Sequence, residues 1–222
     1  MLFFVKSPEH VPVKSRLAES IGPEAARDLY RNFVGDMLGT LAGVAAKTGH
    51  ALSVCIHPPE ASRQMRNWLG DDYRYQPQEG KDLGERMNNA FLASFAAGYG
   101  KTLIIGSDAP DLTGEIVTEG LERLEYEGAV IGPARDGGYY LIGFRSDAFL
   151  PAVFKDIPWS TGEVLTATLQ VFRHAGSDVS LLPLWRDIDT AADLQDLRQR
   201  HENDYFTNSR TMRYLRSRKA QV

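Results

Sequence analysis

The chain has 222 residues, 43% of them apolar and 24% charged, with a formal net charge of −4. This is the composition of an ordinary soluble globular domain, which excludes a disordered chain and a membrane span, and the acidic balance argues against a nucleic-acid binder. The longest early apolar run, Leu2-Phe3-Phe4-Val5, is too short for a signal-peptide core, so the expectation is a cytoplasmic protein: one catalytic domain over residues 1–205 and a basic tail over 206–222.

Leu2 to Lys6 reads as a first strand, short and rich in β-favouring residues. A loop containing Pro8 and Pro12 follows, and Pro23 suits the first position of a helix through Leu29, Phe33, Met37, Leu41 and Val44 that stops at Gly49. Leu52 to Ile56 is a second strand, Pro58-Pro59 opens a helix ending near Gly70, and Tyr73 to Gln76 adds a third strand. Asp82 to Tyr99 places Leu83, Met87, Phe91 and Phe95 on one helical face. Leu103 to Ile105 is the central strand. Thr113 can cap a helix over Ile116 to Tyr126, and strands follow at Ala129 to Ile131 and Tyr139 to Phe144. A helix from about Gly162 to His174, a strand at Val179 to Leu182 and a helix from Thr190 to about Gln199 complete the order. Such alternation implies a largely parallel sheet covered on both faces.

Cys55 has no disulfide partner and sits in a strand-like apolar run, where a packed, inert thiol is expected. The tail from Thr207 holds Arg210, Arg213, Arg216, Arg218 and Lys219 without an acid; the rest of the chain therefore carries 20 basic against 29 acidic residues, a net of −9. A solvated, fraying terminal helix is the commoner cause of such a tail; contact with an anionic surface or with a neighbouring subunit of a homo-oligomer is the alternative.

Several motifs fail. Gly98-Tyr99-Gly100-Lys101-Thr102 lacks the upstream glycine of a phosphate-binding loop and joins a helix to a strand in the wrong order. No dinucleotide fingerprint follows the first strand, the five histidines show no metal-ligand spacing, and there is no G-x-S-x-G elbow.

Five local signals survive. Gly106-Ser107-Asp108-Ala109-Pro110-Asp111 directly follows the central strand, so carboxylates stand at a strand mouth, where open α/β sheets bind ligands and where short acids can hold Mg²⁺ or Mn²⁺. A simple turn is the bland reading of the same six residues. Lys6, Lys14 and Arg16 surround the first-strand loop and bring cations suited to a nucleotide diphosphate. Asp82 and Glu85 fit a capping box whose helix start can meet an anionic or polar ligand. Gly132-Pro133-Ala134-Arg135-Asp136-Gly137-Gly138 joins two strands, either as a tight hairpin or as a close backbone approach to a ligand. Asp187 and Asp189 stand before a helix that Thr190 can cap, with Asp193 at its third position.

These strings, with Val13-Lys14-Ser15-Arg16-Leu17 and Trp159-Ser160-Thr161, resemble the nucleotide-diphospho-sugar transferase superfamily of GT-A-like folds, and more closely the bacterial branch known as DUF2064, from Phe3 to about Leu197. The resemblance implies a three-layer α/β/α fold on a mainly parallel mixed sheet. It implies that Lys14 and Arg16 cradle the nucleotide's phosphates, with Lys6, Ser107, Asp82, Gly84 and Glu85 completing the nucleotide site. Asp108 would hold Mg²⁺ or Mn²⁺ with Asp189 or, failing it, Asp187. Asp136, with Gly137 and Gly138, would face the sugar or acceptor, Asp136 as general base, while Trp159, Ser160 and Thr161 line the acceptor side; Ser160 and Glu163 also spell a capping box. Relatives usually carry glycine in the phosphate loop where this chain has Glu9-His10-Val11-Pro12.

The leading expectation is a metal-dependent glycosyltransferase using a nucleotide-diphospho-sugar and an unidentified acceptor. Two alternatives stand beside it: a nucleotidyltransferase that activates a small molecule with a nucleoside triphosphate, and a non-catalytic nucleotide-binding protein.

Overall fold

The computed structural model describes residues 1–217; Arg218 and Lys219 of the basic tail lie outside the described residues. Seven strands form one mixed sheet in the order β3-β2-β1-β4-β6-β5-β7. Strand β1 (Leu2–Lys6) lies between β2 (Ser53–His57) and β4 (Lys101–Ile105), parallel to both, and β3 (Arg74–Pro77) adds a parallel edge. Strand β6 (Tyr139–Arg145) runs antiparallel to β4 and β5 (Ala129–Pro133), and the two-residue β7 (Ser180–Leu181) runs parallel to β5.

Because successive strand residues face opposite ways, the apolar run of β1 feeds two cores. Phe3 and Val5 join Val54, Ile56, Leu103 and Ile105 beneath helices α2 (Pro23–Thr48), α3 (Ser62–Leu69) and α5 (Gly114–Arg123). Leu2 and Phe4 join Cys55, Ile104, Ile131 and Ile142 beneath α4 (Leu83–Ala96) and α6 (Val164–His174), where Phe91, Phe144, Phe154 and Phe172 pack ring against ring. The three-layer arrangement expected from the sequence is therefore the one adopted. Helix ends follow their local chemistry: Pro23 opens α2, Gly49 closes it at φ 73°, and Thr113 accepts from the Ile116 amide.

A third cluster holds the chain's two ends together. Leu17 of α1 (Ser15–Ile21) meets Leu29 and Phe33 of α2, Leu194 and Leu197 of α7 (Ala191–Arg200), and Met212 and Leu215 of α8 (Arg210–Ser217). Up to Ser217 the basic tail is thus a docked helix rather than a fraying one. Asp36 on α2 caps it, accepting the Arg210 and Thr211 amides at 2.8 Å each.

Two local readings are corrected. Residues 15–21, read as loop, are helical. The Ser160–Glu163 capping box does not form: Ser160 sits at φ 65°, and Glu163 occupies the cap position of α6 without a side-chain bond. The cause is a tertiary contact, since the Leu165 amide donates to the Gly137 carbonyl at 2.8 Å and fixes this segment to the β5–β6 connection. Among the described residues no helix is long and apolar enough to cross a membrane.

Candidate functional site

The parallel register of β1, β2 and β4 brings their C-terminal ends to one edge of the sheet, and the first-strand loop folds back over it. Lys14 closes that loop in a left-handed conformation (φ 51°, ψ 46°), with its side chain only 2% exposed. The ammonium contacts Asp108 Oδ1 and donates to Asp189 Oδ1 at 2.9 Å, while Arg16 Nη2 donates to Asp189 Oδ2 at 2.7 Å. The two segments carrying these acids are joined through backbone, the Ile188 amide donating to the Asp108 carbonyl at 2.9 Å. A full Thr190–Asp193 capping box fixes the turn after Asp189. Burial works against the charge on Lys14, yet Asp108 and Asp189 hold its pKa well above the usual lysine value. Partial burial pushes the half-exposed Asp108 up, but Lys14, with Lys6 and Arg16 behind it, keeps that carboxyl below its ordinary range.

Asp187 has the opposite character. Its Oδ1 is buried with no hydrogen-bond partner, and burial together with Asp108, Asp136 and Asp189 pushes its pKa up to about 8 against the pull of Lys14. An orphaned carboxylate beside two more acids is a donor set that suits a hard divalent cation. Among the described residues no group of three such side chains is placed to hold a metal ion, and the Lys14 ammonium stands against both Asp108 and Asp189. Only the oxygen chemistry of Asp108, Asp187 and Asp189 suits a hard cation, one that would take further ligands from water and a bound phosphate.

Beside Asp108 a cavity of about 190 Å³ opens between β1, β4, β6 and α4, with Lys6, Gln78, Arg86, Ser107 and Tyr139 on its wall. Ser107 Oγ lies 3.0 Å from the hydroxyl of Tyr30, which accepts the Lys6 amide at 2.9 Å. At the start of α4, Asp82 accepts the Glu85 amide at 2.8 Å and Glu85 accepts the Lys81 amide at 2.6 Å, so both side chains serve the helix end. Gly84 packs beneath Trp159; a Cβ there would meet the Phe154 carbonyl and come within 2.7 Å of the indole.

The β5–β6 connection keeps its glycines for packing. Gly137 lies at φ 88° with no room for a Cβ against the Gly162 backbone, and Asp136 Oδ1 accepts the Gly138 amide at 2.9 Å. Trp159 stands edge-on to Tyr139 at 6.4 Å, and Thr161 Oγ1 donates to the Pro158 carbonyl at 2.8 Å. Asp136 acts electrostatically on Asp187, which places this loop's charge on the acidic cluster.

Three elements escaped the sequence reading. Tyr30 belongs to the core stripe of α2 and reads as packing. Asp111, taken only as part of a strand-mouth string, is a buried hub: its carboxylate accepts from Trp185 Nε1, Arg200 Nη1 and His201 Nε2 at 3.2, 2.8 and 2.9 Å. Arg86 follows the Asp82–Glu85 helix start by one residue, and its side chain reaches the cavity only because α4 turns it there. Cys55 is buried, its thiol pushed up to about 12 by burial.

The seven-stranded mixed sheet flanked by helices is a nucleotide-diphospho-sugar transferase-like α/β fold. Residues 40–161 match the family model described as uncharacterized protein conserved in bacteria (DUF2064), and the chain belongs to that family. It is similar to a crystal structure from Desulfovibrio desulfuricans G20, named a "putative nucleotide-diphospho-sugar transferase", at 42% identity and TM-score 0.92, covering 99% of this chain and 94% of that one. The same fold, at 13% identity and TM-score 0.57, occurs in 4-diphosphocytidyl-2C-methyl-D-erythritol synthase from Anaerococcus prevotii, covering 91% and 98% of the two chains. It occurs again in the manganese complex of Rv0371C from Mycobacterium tuberculosis H37Rv, at 15% identity and TM-score 0.52 over 89% and 97%. No curated protein matches the chain.

Proposed function

We propose that the chain is a metal-dependent transferase that takes a nucleotide-diphospho-sugar as donor and passes the sugar to an acceptor. The observation that carries this reading is the meeting of Asp108, Asp187 and Asp189 with Lys14 at the mouth of β1 and β4. The name of the relative at 42% identity supports the donor class, and the manganese complex of a fold neighbour supports a divalent ion.

In this reading Asp108 and Asp189, with Asp187, hold Mg²⁺ or Mn²⁺, which when bound supplies Lewis acidity toward the departing nucleoside diphosphate. Lys14 and Arg16 stand against the same carboxylates and offer positive charge to the phosphates in a partly water-excluded cleft. Asp136 has one oxygen fixed by the Gly138 amide and keeps the other for an acceptor proton, as a general base requires. Gly137, Gly138, Trp159, Ser160 and Thr161 form the acceptor side.

The test is a panel of nucleotide sugars incubated with the protein and Mn²⁺, followed for free nucleoside diphosphate. Release from one member, abolished by chelation, is the expected result. Pyrophosphate formed from a nucleoside triphosphate and a small phosphorylated partner would instead establish nucleotidyl transfer. Binding without turnover across both panels would leave a non-catalytic nucleotide-binding protein.

A further inference from the structure

Asp111 is the second acid of the strand-mouth string, yet both of its oxygens are taken by partners outside the nucleotide, metal and acceptor contacts. Oδ1 accepts from the Trp185 indole and Oδ2 from Arg200 Nη1 and His201 Nε2, with the side chain fully buried. These donors come from the two ends of one segment. Trp185 opens it and is docked on the end of β5, its amide donating to the Pro133 carbonyl and its carbonyl accepting the Arg135 amide at 3.0 Å each. Arg200 and His201 close it at the end of α7. Asp187 and Asp189 lie between these ends, so a single carboxylate fastens both sides of the piece of chain that carries them.

The two acid-bearing segments are thereby joined at two points. The Ile188 amide donates to the Asp108 carbonyl at 2.9 Å, and at the other end of the same short stretches the Trp185 indole donates to Asp111 at 3.2 Å. One hydrogen bond alone leaves a hinge between two loops, whereas a second bond at the far end of both removes that freedom, and side chains on loops are precise only when such supporting contacts are fixed. The fixing point is strong, because a buried carboxylate bound by cationic donors forms charge-assisted bonds. Its donors are themselves held: Arg200 Nε donates to Asp196 Oδ2 at 2.6 Å, and His201 Nδ1 lies 2.6 Å from Asp204 Oδ2.

We propose that Asp111 is a positioning residue: its carboxylate sets the placement of Asp108 against Asp187 and Asp189, and through them the affinity for a divalent ion with a nucleoside diphosphate. The affinity rests on the transferase reading; the placement does not.

Two measurements on the full chain test this, with Asp111→Asn set beside Met65→Ala, a control that weakens the fold at a buried core position on α3, on the β3 side of the sheet. The first is amide hydrogen exchange without ligand. In Asp111→Asn the Ile188 amide loses about tenfold or more of its protection beyond any loss at the β1 core amides, the scale of one charge-assisted hydrogen bond, and in Met65→Ala it shows no such excess. The second is calorimetric titration of Mn²⁺ with a nucleoside diphosphate, at a temperature where circular dichroism shows each protein folded. Asp111→Asn binds about tenfold more weakly or worse, and Met65→Ala stays within about twofold of wild type. Should Asp111→Asn fail to fold, Trp185→Phe, which removes the indole donor, must show the same excess at Ile188 and the same weakening. The proposal is overturned if Ile188 keeps its protection, if Met65→Ala opens it as far, or if wild type binds the nucleotide and Asp111→Asn binds it equally well. An opened Ile188 in the variant, with no nucleotide binding even by wild type, would leave the placement role standing and remove the transferase reading.

Discussion

Lys14 Nζ lies 2.9 Å from Asp189 Oδ1, across 175 positions of sequence, and contacts Asp108 as well. One buried ammonium therefore holds the strand-mouth loop, the first-strand loop and the entry to α7 at a single point. Lys14→Met leaves two carboxylates facing each other without it. Asp108 is half-exposed, so solvent offsets part of the loss, and the expected cost is about 2 kcal/mol, below that of breaking a fully buried pair. Mn²⁺ should raise the melting temperature of Lys14→Met more than that of the wild type. Thermal denaturation with and without the ion checks both statements.

Asp187 makes the apo protein's stability depend on pH in a defined direction. Its folded pKa of about 8 lies above the ordinary 3.8, so the folded state binds the extra proton, and stability falls as pH rises between those values. Asp187→Asn removes this slope. The variant's gain in melting temperature should be small near pH 4 and grow toward pH 8, measured without divalent ions; a gain independent of pH would contradict the assignment.

The order of strands and helices was legible because several helices carry a local terminator or cap: Pro23 and Gly49 on α2, Thr113 on α5, and Thr190 with Asp193 on α7. Helix α1 was not, because it is seven residues long, opens at a left-handed Lys14 with no side-chain cap, and buries only Leu17. The docking of α8 was hidden beneath its arginines, although Met212 and Leu215 stand three apart on one face. In the site, the acids and cations could be found by type and by their place at strand ends. Their pairing could not, since Lys14 with Asp189 and Asp111 with His201 meet only through tertiary packing. Arg86 looked like one more polar residue on an amphipathic helix, and only the cavity beside it singles it out.

Asp111 ties the chain after α7 to the strand-mouth loop. Its side chain is fully buried, and its backbone carbonyl also accepts the Tyr205 hydroxyl at 2.6 Å. Burial pushes Asp111 up, but His201 and Arg200 hold it below its ordinary value of 3.8; burial pushes His201 down, but Asp111 and Asp204 hold it above its ordinary 6.5. The Asp111 contribution is present above 3.8 and lost as pH falls, and the His201 contribution is present below 6.5 and lost as pH rises through its raised value. Asp111→Ala should cost about 3 kcal/mol, the scale of a broken buried pair. Urea titrations should show the widest gap from wild type between the two ordinary values.

Gly137→Ala meets two obstacles at once: a φ of 88° and the Gly162 backbone, whose carbonyl carbon would lie 2.6 Å from the new Cβ. A loss of about 2–3 kcal/mol is expected, with lowered activity because Asp136 moves with the loop. Gly98→Ala, also at positive φ but with open space around it, should lose only the conformational part, about 1 kcal/mol. Chemical denaturation of the two variants separates strain from clash.

The central claim is that Asp108 and Asp189 share a divalent ion that recruits the nucleotide. Titrating Mn²⁺ with a nucleoside diphosphate into wild type, Asp108→Asn and Asp189→Asn by calorimetry measures it directly. The account predicts metal-dependent binding to the wild type and a loss of at least about tenfold in each folded variant. Equal affinity in all three proteins, or nucleotide binding indifferent to Mn²⁺, would contradict it.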